Sequence, residues 1–159
     1  MSSKNYIYES DISEEQNLSF NALTRAFIQN GMEFTERNIF SLGIKNSLDK
    51  FTNVGFILSD QSDVTVKIAE YDKDRNFKLK KQFTGSLIDL FYHVKEQADR
   101  LNDVCAKIDI KSFKRKEIVS YPGASLREII LNAFVHADYF IRSNIKIEFF
   151  VNACSKTIL

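Results

Sequence analysis

Hydrophobic positions near the start of the chain recur at helical spacing. Between residues 17 and 30 they are separated by three or four positions, which predicts an amphipathic helix. Ser19 or Asn17 is suited to cap its start, and Asn30-Gly31 is a typical stop. A shorter helix, capped by its first residue, is predicted over Thr35–Leu42. Two helices this close have the layout of a helix-turn-helix, and a helical hairpin that covers a sheet is the alternative.

Short apolar runs and alternating patterns predict the strands. They are residues 53–58, 64–69, 77–83, 105–110, 117–121, 145–151 and 156–159. Lysines in the third of these are typical of an edge strand. The basic run Lys111–Lys116 connects the fourth and fifth strands, which therefore form a predicted hairpin.

A longer helix is predicted between the strands, from Leu87 to about Asn102. Ser86 and Asp89 at its start have the spacing of a capping box. Together these elements predict an α+β fold with a mixed or antiparallel sheet of about five to seven strands. The helices are expected to pack mainly on one face of that sheet.

Three polar residues follow one another at intervals of four near the C-terminal end. Glu128, Asn132 and His136 form a nearly straight row on a predicted helix, because each step of four residues drifts by only about 40°. An apolar stripe is predicted alongside, formed by Leu126, Ile129, Ile130, Ala133, Phe134 and Ala137. A carboxylate and an amide in file are suited to position a metal ion, a water molecule or a nucleotide phosphate.

Each residue of the row also has a structural explanation. Ser125 and Glu128 fit a capping box, in which the carboxylate accepts only a backbone N–H. An earlier helix start near Pro122 instead places Glu128 inside the helix and frees its carboxylate. His136 could serve as a half-buried residue near the helix end, where a cation is favoured.

Composition limits the classes of protein that fit. The chain has 159 residues, 44% hydrophobic with 14 Phe, which suffices for one domain or two small ones. A net charge of +1 gives no field that predicts nucleic-acid binding. Cys105 and Cys154 form no metal or disulfide pattern and are expected to be reduced. We find neither a membrane-length apolar run nor a signal peptide and expect a cytoplasmic protein.

The segment from Tyr121 to Tyr139 resembles a known motif. Its part from Glu128 to His136 is similar to the N-box of the GHKL-type ATPase superfamily, which includes gyrase, histidine kinases and mismatch-repair ATPases. The whole segment resembles the corresponding one in RecG-related bacterial proteins, which are described as ATP-dependent helicases or transcriptional regulators. Residues 52–61 and the helix start at Gly85 also look similar to that family, so the resemblance covers about residues 17–159.

The resemblance implies roles for the residues of the row. Glu128 corresponds to the catalytic base that orients or deprotonates the attacking water. Asn132 corresponds to the ligand of the Mg²⁺ ion bound to the nucleotide phosphates, and His136 lies at the edge of the nucleotide pocket. ATP and Mg²⁺ are thus the implied cofactors of the full-length protein, and DNA is a partner implied through the same parent.

This sequence departs from the family pattern at several points. Ala137 occupies the position of the family's usual arginine, and the adenine-binding box and glycine-rich lid do not appear before Leu159. The family's N-terminal AlbA-type module is also missing. We therefore expect a middle piece of a longer protein, which binds no nucleotide tightly and does not hydrolyse ATP alone. Its predicted parts are a flexible N-terminus (1–14), a connecting α+β region (15–116) and an incomplete ATPase-like domain (117–159).

Two other functions fit the sequence. One is a non-enzymatic module in which the row is structural and an exposed strand edge pairs with a second copy to give a homodimer. The other is DNA binding through the N-terminal helices or the basic run. In that run the candidate phosphate contacts are Lys111, Lys114, Arg115 and Lys116. A solvated hairpin tip is the structural explanation of the same four charges.

Overall fold

The fold was analysed in a computed structural model. It describes residues 8–72, 74–101, 104–109, 114–119, 122–139, 144–152 and 155–158. Two compact units divide the chain. The first comprises residues up to 65 together with 84–90 and 138–143, and the second comprises 66–83, 91–137 and 144–159.

Five α-helices and six strands are present in the described residues. The helices are α1 (Asn21–Gln29), α2 (Glu36–Ser41), α3 (Asn53–Leu58), α4 (Leu87–Leu101) and α5 (Gly123–Val135). The strands are β1 (Thr65–Tyr71), β2 (Phe77–Thr84), β3 (Val104–Asp109), β4 (Lys114–Val119), β5 (Ile145–Asn152) and β6 (Ser155–Ile158). This content confirms the predicted α+β class.

The sheet is mixed, and its strand order is β2-β1-β5-β6. β1 pairs with β5 in parallel, whereas β5 and β6 are antiparallel. β3 and β4 form a separate antiparallel pair, so the six strands do not make one sheet. β2 lies at an edge, as its lysines predicted. Because β1 and β5 share a sheet, the predicted division after residue 116 is not a boundary between separate structural domains.

The core of the second unit follows the alternation in the sequence. Val66 and Ile68 of β1 are buried, as are Ile145, Ile147 and Phe149 of β5. In α5 the buried residues are Leu126, Ile130 and Phe134. The Phe134 ring contacts Phe91 of α4 edge-on, with centroids 5.9 Å apart. The predicted apolar stripe of α5 is therefore confirmed at three positions, but Ile129 is exposed to 36% and lies outside it.

In the first unit, a distant carboxylate caps α1. Asp60 accepts hydrogen bonds from the backbone N–H groups of Asn21 and Ala22, at 2.8 and 3.0 Å. The Ser19 hydroxyl and the Asn21 side-chain amide also donate to it, each at 2.8 Å. The prediction that Ser19 or Asn17 caps α1 is therefore wrong, because Phe20 occupies the N-cap position and the carboxylate of Asp60 supplies the cap. Its predicted end is confirmed by Asn30 and by Gly31 at φ +70°.

Burial and hydrogen bonding act in opposite directions on Asp60. Partial burial raises the pKa of its carboxyl, but the donors from Ala22, Asn21 and Ser19 outweigh it. The pKa is therefore held below the ordinary value of 3.8. The carboxylate is the form that stabilises the start of α1, since helix N-termini favour negative charge.

Residues 53–58 are helical, so the predicted strand there is wrong. Thr52 caps this helix, α3, and its hydroxyl accepts a hydrogen bond from the Gly55 N–H at 3.2 Å. The same hydroxyl donates to the Gly43 carbonyl at 2.6 Å. A Cβ on Gly55 would lie 2.7 Å from the Ile44 carbonyl oxygen, so this helix packs on backbone too closely for any other residue.

The starts of the other two early helices differ in how they are capped. Thr35 is the N-cap of α2, as predicted, and its backbone N–H donates to the Asn38 side chain at 2.8 Å. The predicted capping box of α4 is absent. Ser86 donates instead to the Leu58 carbonyl, and Asp89 forms an exposed ion pair with Arg25 at 3.2 Å.

Residues 8–14 of the predicted N-terminal segment form defined contacts with the rest of the first unit. A short 3₁₀ helix covers Tyr8–Ser10, and Ile12 forms a β-bridge with Thr52. Ser13 is buried, and its N–H donates to the Phe51 carbonyl. Residues 1–7 lie outside the described part of the chain.

Candidate functional site

The polar row lies along α5 and at its end. Glu128 and Asn132 belong to the helix, and His136 is its C-cap, donating its backbone N–H to the Asn132 carbonyl. All three side chains are exposed. Within the described residues, none of the three side chains forms a hydrogen bond or an ion pair. The row is therefore open to a ligand or to solvent.

The start of α5 decides between the two explanations of Glu128. The helix begins at Gly123, with Pro122 as a cap that has no side-chain hydrogen bond. Ser125 is thus already inside the helix and does not act as its N-cap. Glu128 lies five residues after the helix start at Gly123. The capping-box interpretation is therefore wrong, and the carboxylate has no hydrogen-bond or ion-pair partner among the described residues.

α5 presents few side chains that could act as metal ligands. No group of three or more His, Cys, Asp and Glu side chains that could enclose a metal occurs among the described residues. Asn132 offers one amide oxygen. Mg²⁺ keeps several of its waters and commonly takes only one or two protein ligands, whereas structural zinc sites take four.

Apolar side chains border the polar row on the outer surface of α5. Leu131 is 45% exposed and Val135 is 65% exposed. The exposed face of α5 therefore carries both apolar and polar side chains, because Glu128 and Asn132 lie between Ile129 and these two residues around the helix. A helix that is apolar beyond its buried stripe is typical of one that contacts a further surface.

Three of the four cationic residues of the basic run lie in a strand. Lys114, Arg115 and Lys116 belong to β4, where Lys116 pairs in register with Lys107 and Lys114 with Asp109. Lys111 lies outside the described residues. The prediction of a basic hairpin tip is therefore wrong for three of its four residues, because β4 begins three positions earlier than the alternation suggested.

A polar cluster between β2 and α4 was not foreseen from the sequence. The side-chain oxygen of Gln97 accepts hydrogen bonds from Lys81 at 2.7 Å and from Arg100 at 3.1 Å. Gln97 is buried, with 9% of its surface exposed. Nearby, His93 stacks on Phe83 with ring centroids 5.0 Å apart. The only local signal was the i, i+3 spacing of Gln97 and Arg100, which is too common to predict a site.

Comparison with known proteins identifies the fold but gives no function. No known protein family matches the chain, and no curated protein matches it. A crystal structure of the DIP2311 protein from Corynebacterium diphtheriae superposes with a TM-score of 0.71 at 16% identity, over 91% of this chain. The chain spans 31% of that protein's length. No helix in the described residues has the length and apolar character needed to cross a bilayer. This chain therefore has the fold of one part of a larger protein of known structure.

Proposed function

We propose that this chain forms one wall of a nucleotide–Mg²⁺ site in a RecG-related, ATPase-like regulatory protein. Its own role is that of a scaffold which presents α5. The observation that carries the proposal is the row of Glu128, Asn132 and His136, exposed along one helix without partners among the described residues. Residues with this chemistry and spacing resemble the N-box.

Each residue of the row has a role in this proposal that its position permits. Asn132 lies in the body of α5, where its exposed amide oxygen would be available to a hydrated cation. Glu128 lies one turn nearer the N-terminus and can accept a proton from a water molecule, since its carboxylate has no competing donor among the described residues. His136 closes the row at the helix end, where it can contact the nucleotide. Bound Mg²⁺ would supply charge neutralisation at the phosphates.

The surroundings of α5 support a fixed row. Leu126, Ile130 and Phe134 anchor the opposite face in the core of the second unit. A helix held by three buried side chains orients its exposed groups before a ligand arrives, which lowers the entropic cost of binding. One exposed ligand from this chain is not enough for a complete site, so we expect weak binding and no turnover by the chain alone.

The proposal is tested by an NMR titration of the chain with Mg²⁺ and ADP. The signals to follow are the Asn132 side-chain amide and the backbone of residues 127–136. Saturable shifts confined to α5 are expected in the millimolar range. Asn132→Ala should abolish them, whereas Glu128→Gln should retain them, because Glu128 acts on water rather than on the metal.

Arg127→Ala is the matched control, since Arg127 is also exposed on α5 but lies about 140° around the helix from Asn132. Equal losses in Arg127→Ala and Asn132→Ala would indicate general attraction of the nucleotide to positive charge. No shift at millimolar nucleotide would refute a nucleotide site on this chain.

A second candidate is a non-enzymatic interaction module, and the exposure of Leu131 and Val135 favours it. In that case α5 contacts a second copy of the chain through its outer face. Sedimentation over a range of concentrations should then reveal a dimer that Leu131→Glu disrupts. A monomer at every concentration would exclude this alternative.

A further inference from the structure

The cluster around Gln97 holds two cations on one neutral acceptor. Lys81 comes from β2 and Arg100 from the last turn of α4, and both donate to the same side-chain oxygen. Because they share this acceptor, the two donor nitrogens lie within about 6 Å of each other. Gln97 is more than nine-tenths buried, so the oxygen that gathers them is fixed.

Among the described residues, no carboxylate pairs with either of these two charges. The nearest acidic residues in sequence on α4 are Glu96 and Asp99, and Asp99 is paired with Lys95 at 2.6 Å. Two like charges this close repel each other, and an anion between them removes that repulsion.

We propose that Lys81, Arg100 and Gln97 form a binding site for a phosphate-class oxyanion. Arg100 offers a planar fork of donors that matches two oxygens of a phosphate, and Lys81 adds a compact charge. Gln97 accepts from both cations and so holds their head groups close enough for one anion to contact both. The ligand is a free phosphate ion or the phosphate group of a small monoester.

The neighbouring contacts keep this arrangement in place before binding. Phe83 lies two residues after Lys81 on β2, on the same side of the strand. Its ring stacks on His93, which lies one helical turn before Gln97, with an interplanar angle of 12°. This stack joins β2 to α4 beside the cluster. A site whose donors are already positioned loses less entropy when the anion binds.

An NMR titration of the whole chain with inorganic phosphate tests the site, at constant ionic strength maintained with chloride. Saturable shifts are expected at residues 81, 97 and 100. Lys81→Gln and Arg100→Gln should each weaken binding by about tenfold or more, because each removes one of two charge-assisted contacts. Lys80→Gln is the matched control, since Lys80 is an exposed neighbour on the same strand, and it should leave the affinity unchanged.

Gln97→Glu provides an independent test that does not remove either cation. It places a carboxylate between the two cations in nearly the same shape as the amide, so phosphate binding should be lost while the fold is retained. A parallel titration with glycerol 3-phosphate distinguishes the two sources. If glycerol 3-phosphate binds more tightly than inorganic phosphate, the site is assigned to a phosphate monoester. If the two bind equally, it is assigned to the free anion.

Three results would overturn the proposal: no saturable shift, an equal effect of Lys80→Gln, or unchanged binding in Gln97→Glu. None of them would affect the proposed nucleotide site, because neither cation belongs to α5. Conversely, loss of Mg²⁺–ADP shifts in Asn132→Ala would leave the phosphate titration unchanged.

Discussion

Replacing Asp60 by alanine tests whether a residue far along the chain fixes the start of α1. The carboxylate accepts four hydrogen bonds, two of them from backbone N–H groups in the first turn of the helix. Asp60 is only partly buried, so water can replace part of what is lost. At about 0.5 kcal/mol for each bond, Asp60→Ala should lower the free energy of unfolding by about 2 kcal/mol.

Urea denaturation followed by far-ultraviolet circular dichroism measures this change. For a chain of this size it corresponds to a fall in Tm of about 4–8 °C. Glu33→Ala is the control, since Glu33 is exposed in the same unit and forms no hydrogen bond or ion pair among the described residues. It should alter stability by less than about 0.5 kcal/mol. An equally small effect of Asp60→Ala would refute the reasoning.

The dependence on pH gives a second check on Asp60. Because its pKa in the folded chain lies below 3.8, its contribution to stability is fully present above pH 3.8. That contribution is lost as the pH falls from 3.8 through the lower pKa of the folded state. The stability difference between the wild type and Asp60→Ala should therefore be constant near neutral pH and narrow in acid. A difference that stays constant throughout would contradict the assigned hydrogen bonds.

Two further predictions concern the first unit. Gly55→Ala should destabilise the chain by about 2 kcal/mol or more, since the added Cβ would meet the Ile44 carbonyl oxygen at 2.7 Å. In urea denaturation, the control Gly123→Ala, which has open space, should cost nothing. Burial and the charge of Glu9 raise the pKa of Tyr139 from 10.0 to about 12. The folded chain therefore favours the neutral phenol, and the resulting stabilisation is fully present below pH 10 and is lost as the pH rises through about 12. The wild type should lose stability relative to Tyr139→Phe over this range, and parallel pH curves would rule out the shift.

Local patterns were sufficient for the elements that have one buried face. β1 and β5 show an alternating pattern, and apolar residues at alternate positions, such as Val66, Ile68 and Ile147, are buried. The bounds of α4 were predicted almost to the residue, because its apolar residues recur regularly along one face of the helix. The same reasoning located the row on α5, since spacing by four depends only on helix geometry.

The features that sequence reasoning missed depend on partners that are remote in the chain. Residues 53–58 form a short apolar run, which periodicity alone cannot assign to strand or helix. The choice of helix depends on the Thr52 cap and on the close approach of Gly55 to Ile44. In the same way, Asp60 caps a helix some 40 residues earlier in the chain. Gln97 of α4 accepts its hydrogen bond from Lys81 only when β2 packs against α4.

The parallel pairing of β1 with β5 also determines the order in which the chain can fold. During synthesis, β1 is made early but cannot gain this neighbour until residues 145–152 have been added. Until then one edge of β1 is left unpaired, and such edges are prone to aggregation. We therefore expect the second unit to complete its folding late, through contacts distant in sequence, which is a slow route. Expression of the chain cut before β5 should yield aggregated material, whereas the full chain should not aggregate.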